Sequence, residues 1–221
     1  MPVEMFPVET GRSQYPGRFL LRPSIGVVAW AEARPASDAT VAWAPLADLA
    51  EQVLSYLELG FAPSIANTPA LAKYEQPPHD RFTASRLVAG LHLANERLSR
   101  EWSARNVVTS AAALHFDGSQ VTLVEAGSSI DIWHMHEGTF RRLRSRLRPI
   151  DERGREAAFV PTREDLVLEH GDVLGVGLMP NADVARIASC AAAVRIDELL
   201  TMLIADAETN GSSGVVCRWR M

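Results

Sequence analysis

The chain has 221 residues, enough to bury a substantial core as one domain or two small ones. Apolar residues make up 47% and charged residues 22%, and 27 Asp and Glu against 22 Lys and Arg leave a net charge of −5. That acidic balance argues against a nucleic-acid partner. No apolar run reaches the length of a membrane span, since the best candidate, residues 166–178, is broken by Glu169, His170 and Asp172. Glu4 and Glu9 precede any basic residue, and no apolar centre follows, so the N-terminus does not read as a signal peptide and a cytoplasmic protein is expected. Cys190 and Cys217 stand far apart without companion ligands, which suits small buried apolar residues better than a disulfide or a zinc site.

Residues 1–23 mix Pro, Gly, Arg and Tyr without a period and read as an N-terminal arm with one short strand at Arg18–Leu21; residues 24–221 read as a single domain. Ser24–Trp30 and Ala39–Trp43 are β-rich runs separated by the turn cluster Arg34-Pro-Ala-Ser-Asp38, which predicts a hairpin. Pro45 opens a helix where its missing N–H costs nothing, with Leu46, Leu49, Val53, Leu54 and Leu57 on one stripe and Gly60 as the stop. After a Pro-containing loop, Asp80 or Thr83 caps a second helix carrying Leu87, Leu91, Ala94 and Leu98, which runs to about Trp102.

The period then changes. Val107–Phe116 and Gln120–Ala126 are strands joined at Asp117-Gly118, and Ile130–Met135 and Thr139–Leu143 are strands joined at Glu137-Gly138. Further strands are expected near Leu166–Leu168, at Val173–Val176 and at Val215–Trp219, with helices over about Ala182–Cys190 and Ile196–Glu208. Strands grouped apart from helices predict an α+β fold.

This order matches the type-2C (metal-dependent) Ser/Thr protein phosphatases, and several segments resemble theirs. His92-Leu-Ala-Asn-Glu-Arg-Leu98 is similar to the family's second helix, and Thr109-Ser110 to its Gly-Thr-Thr step. Val124-Glu-Ala-Gly-Ser-Ser-Ile-Asp-Ile-Trp133 resembles the "G-D-S-R" segment, and Leu168-Glu-His-Gly-Asp-Val-Leu174 the "G-D-x-L-L" stretch. Ala205-Asp-Ala-Glu-Thr-Asn-Gly-Ser-Ser213 resembles the final "G-S-x-D-N". The resemblance implies a four-layer αββα sandwich, two antiparallel sheets flanked by helix pairs. In the family, two Mn²⁺ or Mg²⁺ ions held by clustered carboxylates activate a water that attacks phosphoserine or phosphothreonine.

The ligand positions implied by that resemblance depart from the pattern. Trp43 and Ala44 stand where Asp-Gly belongs, Ser128 replaces the Asp of "G-D-S", Met179 falls in the "S-D-G" place and Ser213 in the "D-N" place. Asp38 is the one weak candidate ligand, and it reads more simply as a turn residue. The expectation is therefore a catalytically inactive phosphatase-like protein with no cofactor, whose former cleft Trp43 and Met179 fill. It would act as a regulatory or scaffold module on a protein partner such as a kinase or phosphoprotein. Arg34, which resembles a phosphate-contacting arginine, and Arg141, Arg142, Arg144 and Arg146 could receive a phosphorylated or acidic segment. The alternative is an active Mn- or Mg-dependent phosphatase with a non-standard site drawing on Asp38, Asp131, Asp172 and Asp183. His134 and His136 share a strand face, but no nearby Cys or carboxylate constellation completes a metal site around them, and they read as solvent-facing hairpin residues.

Overall fold

The computed structural model describes residues 3–8, 17–35, 42–60, 82–105, 107–127, 130–143, 162–177, 195–210 and 213–220. Ten strands and three α-helices lie among them, in the order β1 (Val3–Val8), β2 (Gly17–Arg22), β3 (Val27–Pro35), α1 (Trp43–Leu59), α2 (Phe82–Arg105), β4 (Val107–Asp117), β5 (Gln120–Gly127), β6 (Ile132–His136), β7 (Thr139–Leu143), β8 (Thr162–Val167), β9 (Val173–Val176), α3 (Ile196–Asn210) and β10 (Gly214–Trp219). The strands form two five-stranded sheets. The front sheet has the order β1-β10-β9-β6-β7 and the back sheet β2-β3-β4-β5-β8, with antiparallel pairing throughout.

Strand alternation sorts the side chains into three cores. On the back sheet, Val27, Ala29, Ala31 and Ala33 of β3 and Ala111 and Ala113 of β4 turn outward beneath α1 and α2. The helices meet them with the predicted stripes, Leu46, Leu49, Val53, Leu54 and Leu57 from α1 and Leu87, Leu91, Ala94 and Leu98 from α2, all buried. Alanines on the sheet and Gly90 on α2 let these layers close up; a Cβ at Gly90 would lie 2.9 Å from the carbonyl oxygen of Tyr56. The opposite face of β3 and β4 contributes Val28, Trp30, Ala112, Leu114 and Phe116 to the core between the sheets, where Ile132, Leu174, Val176, Val215 and Cys217 of the front sheet meet them. The third core lies under α3, where Trp133, Val173 and Val216 pack on Leu199 and Leu203. Truncating one of the fully buried leucines to alanine would cost about 2–5 kcal/mol.

The architecture is the α+β sandwich expected, with helices outside two antiparallel sheets. The helix expected over about Ala182–Cys190 lies outside the described residues. The hairpin turn Glu137-Gly138 has positive φ at both residues, 45° and 75°, the mirror-image turn whose twist suits a two-residue loop.

Two segments depart from the sequence reading. The stretch taken as an arm contains two strands, one built into each sheet: β1 pairs with β10 and β2 with β3. β1 escapes the period-2 pattern because both its faces are covered. Val3 and Met5 pack toward the inter-sheet core, and Phe6 and Val8 toward the core under α3. Its Pro7 is tolerated because β1 is an edge strand. The second departure is the predicted hairpin of Ser24–Trp30 with Ala39–Trp43. β3 continues past Trp30 to Pro35 and pairs with β2 and β4, and Trp43 opens α1 instead of ending a strand. Pro45 thus sits in the first turn of α1, where the N–H groups have no partners in any case.

Candidate functional site

The extension of β3 changes which residues reach the end of the sandwich. Val28 and Trp30 face the other sheet, so period 2 places Glu32 and Arg34 on that same inter-sheet face. Glu32 pairs with Ser110 on one side and Gly17 on the other. From the front sheet, Asp131 stands at the entry to β6, its backbone carbonyl accepting the N–H of Gly177 at 2.8 Å. Asp131 also forms an ion pair with Arg142 of β7.

Glu32 and Asp131 lie close enough to interact electrostatically, and Arg34 acts on Glu32 with the opposite sign. Burial pushes the Glu32 carboxyl above the usual carboxylate range; Arg34 pulls it down and Asp131 adds to the rise. A folded-state value raised above the unfolded one means the folded protein holds the extra proton. The stability this confers is present at acid pH and declines as pH rises from about 4.5 through the folded value. Glu32→Gln is therefore expected to flatten that decline and to be at least as stable as the parent at pH 7. Urea midpoints at pH 4.5 and pH 7 check this, and a loss of stability at pH 7 would show that the pairing with Arg34 outweighs burial.

Beneath Glu32 the inter-sheet space is filled by Trp30, which is 3% exposed. The indole fits because glycines surround it. A Cβ at Gly17 would lie 2.5 Å from Ser213 Oγ and 2.9 Å from Trp30 Nε1, and one at Gly177 only 2.5 Å from Trp30 Cε2. Ser213 is buried beside this contact.

The residues singled out in the sequence fall as follows. Asp38, Ser128, Arg144, Arg146, Met179 and Asp183 lie outside the described residues. Trp43 and Ala44 are in the first turn of α1, with Ala44 exposed, so neither ends a strand. Arg141 and Arg142 are exposed on β7, and Arg34 is half-buried at the end of β3 beside Glu32. The structure thus brings together Arg34, Asp131, Arg142 and Ser213 near one end of the sandwich, and adds Glu32, which the sequence reading passed over. The available signal was the alternation Val28-Ala-Trp30-Ala-Glu32, which runs on unbroken past Trp30, where the strand was read to end.

His134 and His136 are also corrected. They do not point into solvent alone; both reach the carboxylate of Asp172, which is 2% exposed, at 3.0 and 2.7 Å. The turn before β9 supplies the buried carboxylate that both rings share.

The fit of a metal pair can be judged on these donors. Glu32 and Asp131 are two carboxylates, each with an arginine acting on it. Among the described residues no group of three or more His, Cys, Asp or Glu converges on a point that could hold a metal ion. The described residues by themselves do not fit a two-cation centre. Among the described residues, no helix is long and apolar enough to cross a membrane.

No family model matches the sequence, and no curated protein matches it. Solved structures do. PppA, described as a key regulatory component of T6SS in Pseudomonas aeruginosa, is 17% identical with a TM-score of 0.66, over 98% of this chain and 96% of that one. The S. agalactiae serine/threonine phosphatase is 15% identical with a TM-score of 0.66, over 99% and 100%. The catalytic domain of the serine/threonine phosphatase PstP, solved with two manganese ions, is 16% identical with a TM-score of 0.61, over 98% and 96%. This last likeness overturns the expectation of no cofactor, because the same fold holds a pair of metal ions there. Over nearly its whole length, the chain has the fold of the type-2C Ser/Thr protein phosphatases.

Proposed function

We propose that the chain uses this fold as a regulatory or scaffold module that binds a protein partner and does not hydrolyse phosphate esters. The observation that carries the reading is the charge arrangement at the sheet end. Two-cation hydrolysis needs several carboxylates converging with uncompensated negative charge. Here the two described carboxylates, Glu32 and Asp131, are opposed by Arg34 and Arg142, and Trp30 packs the space beneath them. PppA supports a regulatory setting, since its description names it a regulatory component. The partner class is a Ser/Thr kinase or phosphoprotein, received through Arg34 and the exposed Arg141.

The test combines turnover with binding. Purified protein with millimolar Mn²⁺ is expected to leave p-nitrophenyl phosphate and a phosphothreonine peptide unhydrolysed. The same peptide is expected to bind roughly tenfold more weakly to Arg34→Ala/Arg141→Ala, the loss of about one charge-assisted contact. Equal binding by the variant would remove the phosphate-recognition part of the reading.

One observation favours a second reading. Glu32 and Asp131, within electrostatic reach of each other from the two sheets, are carboxylates that could serve Mn²⁺ or Mg²⁺ in an active phosphatase with a non-standard site. Mn²⁺-dependent turnover that disappears in both Glu32→Gln and Asp131→Asn would establish it in place of the first.

A further inference from the structure

The polar cluster at the other end of β6 belongs to no part of the site above. Asp131 enters β6 and His136 ends it, which separates the two by about 17 Å at strand rise. There the buried Asp172 carboxylate accepts three hydrogen bonds. His134 Nε2 donates to Oδ2 at 3.0 Å, His136 Nδ1 donates to Oδ1 at 2.7 Å and the Glu169 backbone N–H donates to Oδ2 at 2.9 Å. A carboxylate only accepts, so these contacts require the proton on Nε2 of His134 and on Nδ1 of His136.

The cluster joins three pieces of chain. Asp172 and Glu169 belong to the turn between β8 and β9, whose Leu168 plugs the inter-sheet core and donates its N–H to Ser119 in the β4–β5 turn. Gly171 N–H donates to the Trp219 carbonyl and Trp219 N–H to the Asp172 carbonyl, tying the same turn to the end of β10. The histidines add β6. We infer that the His134–Asp172–His136 bridge is a proton-operated latch, closing the end of the sandwich opposite Glu32 by holding the β8–β9 turn against β6.

The charges facing His136 are mostly negative. Asp172 comes from the β8–β9 turn with Glu169 beside it, and Glu137, 4.0 Å from His136 Nε2, comes from the β6–β7 turn. His134 is the neighbouring imidazole on β6, and Arg141 is the cation opposite it on β7. The hydrogen bond to Asp172 and its charge hold the His136 imidazolium above the ordinary range, with Glu169 and Glu137 adding to the rise. A raised folded-state value means the latch is fully charged below about pH 6.5 and loses its ion pair as pH rises through the folded value.

The experiment follows histidine ring resonances and amide exchange by NMR from pH 5 to 9 in the parent, Asp172→Asn and His136→Gln. The His136 midpoint is expected above the ordinary imidazole value in the parent and lower in Asp172→Asn. Protection of the Gly171 and Trp219 amides, corrected for base-catalysed exchange, is expected to fall severalfold through that midpoint in the parent. In His136→Gln it is expected to stay flat with pH. Should Asp172→Asn fail to fold, the comparison with His136→Gln decides. An unshifted His136 midpoint, or protection that falls equally in His136→Gln, would overturn the latch. So would stoichiometric Zn²⁺ uptake displacing both ring protons, which would make the cluster a metal site. None of these readouts depends on phosphatase turnover or phosphopeptide binding.

Discussion

Replacing Gly175 with alanine is expected to destabilise the front sheet severely. Gly175 lies in β9 directly under the ring of Trp133, and a Cβ there would lie 2.1 Å from Cε2, 2.3 Å from Cζ2 and 2.4 Å from Nε1. The ring has nowhere to go. Trp133 is 1% exposed, leans on Phe140 with ring centroids 5.5 Å apart, and packs with Leu199 and Leu203 of α3. Overpacking of this kind costs about 1–3 kcal/mol or more, and Trp133→Ala about 3–5 kcal/mol by leaving a cavity. Either is a large part of the stability of a single domain, about 5–15 kcal/mol. The double variant tells clash from general damage. With the indole gone, the three atoms nearest to a Cβ at 175 are removed, so Gly175→Ala/Trp133→Ala is expected to cost no more than Trp133→Ala alone. Urea unfolding of the three variants measures this, and costs that simply add would refute steric conflict as the cause.

Trp30→Ala is the second large effect, expected at about 3–5 kcal/mol. Trp30 joins the two sheets just below Glu32, and Gly17 and Gly177 are the concavities that admit it. Its indole N–H makes no hydrogen bond among the described residues, so Trp30→Phe loses volume but no polar contact and is expected to cost markedly less. Removing the ring also leaves a cavity beside Ser213, on the face of β3 that carries Glu32, polar enough for water to enter. Burial is the main cause of the raised Glu32 value, so hydration is expected to lower it toward the ordinary carboxylate range. Carbon-detected titration of the Glu32 carboxyl in parent and variant reads this out directly. A Trp30→Ala protein with near-parent stability would show that the sheets are held together elsewhere.

Much of this architecture was legible in the residues because it rests on local periodicity. The stripes of α1 and α2 repeat at threes and fours, and the structure buries each one against the back sheet. Gly118 and Gly138 announced the hairpins β4–β5 and β6–β7, since each takes a positive φ that its turn needs; the first loop is Gly118-Ser119, one residue beyond the pair read as the turn, because Asp117 still pairs with Gln120. β1 was not legible for the opposite reason: covered on both faces and carrying Pro7, it shows neither alternation nor a clean strand composition.

The candidate site was only partly legible. Arg34, Arg142 and Ser213 were named from the chain, but Glu32 was hidden by taking Arg34-Pro-Ala-Ser-Asp38 as a turn, when Arg34 and Pro35 are still paired to β4. Composition at a strand end is a weak signal; the ladder of hydrogen bonds decides where pairing stops. His134 and His136 were visible as a pair on one face, yet Asp172 lies 36 residues beyond His136 and meets it only when β9 docks on β6.

By itself, the sequence determined the buried faces of α1 and α2 and the hairpins β4–β5 and β6–β7, because each follows from residue spacing within a few turns of chain. Only the tertiary structure decided that the first strands enter both sheets, that Glu32 comes within electrostatic reach of Asp131, and that a buried aspartate bridges two histidines. Those are long-range pairings, set by sheet register and by the burial of charge against charge, and no local pattern encodes them.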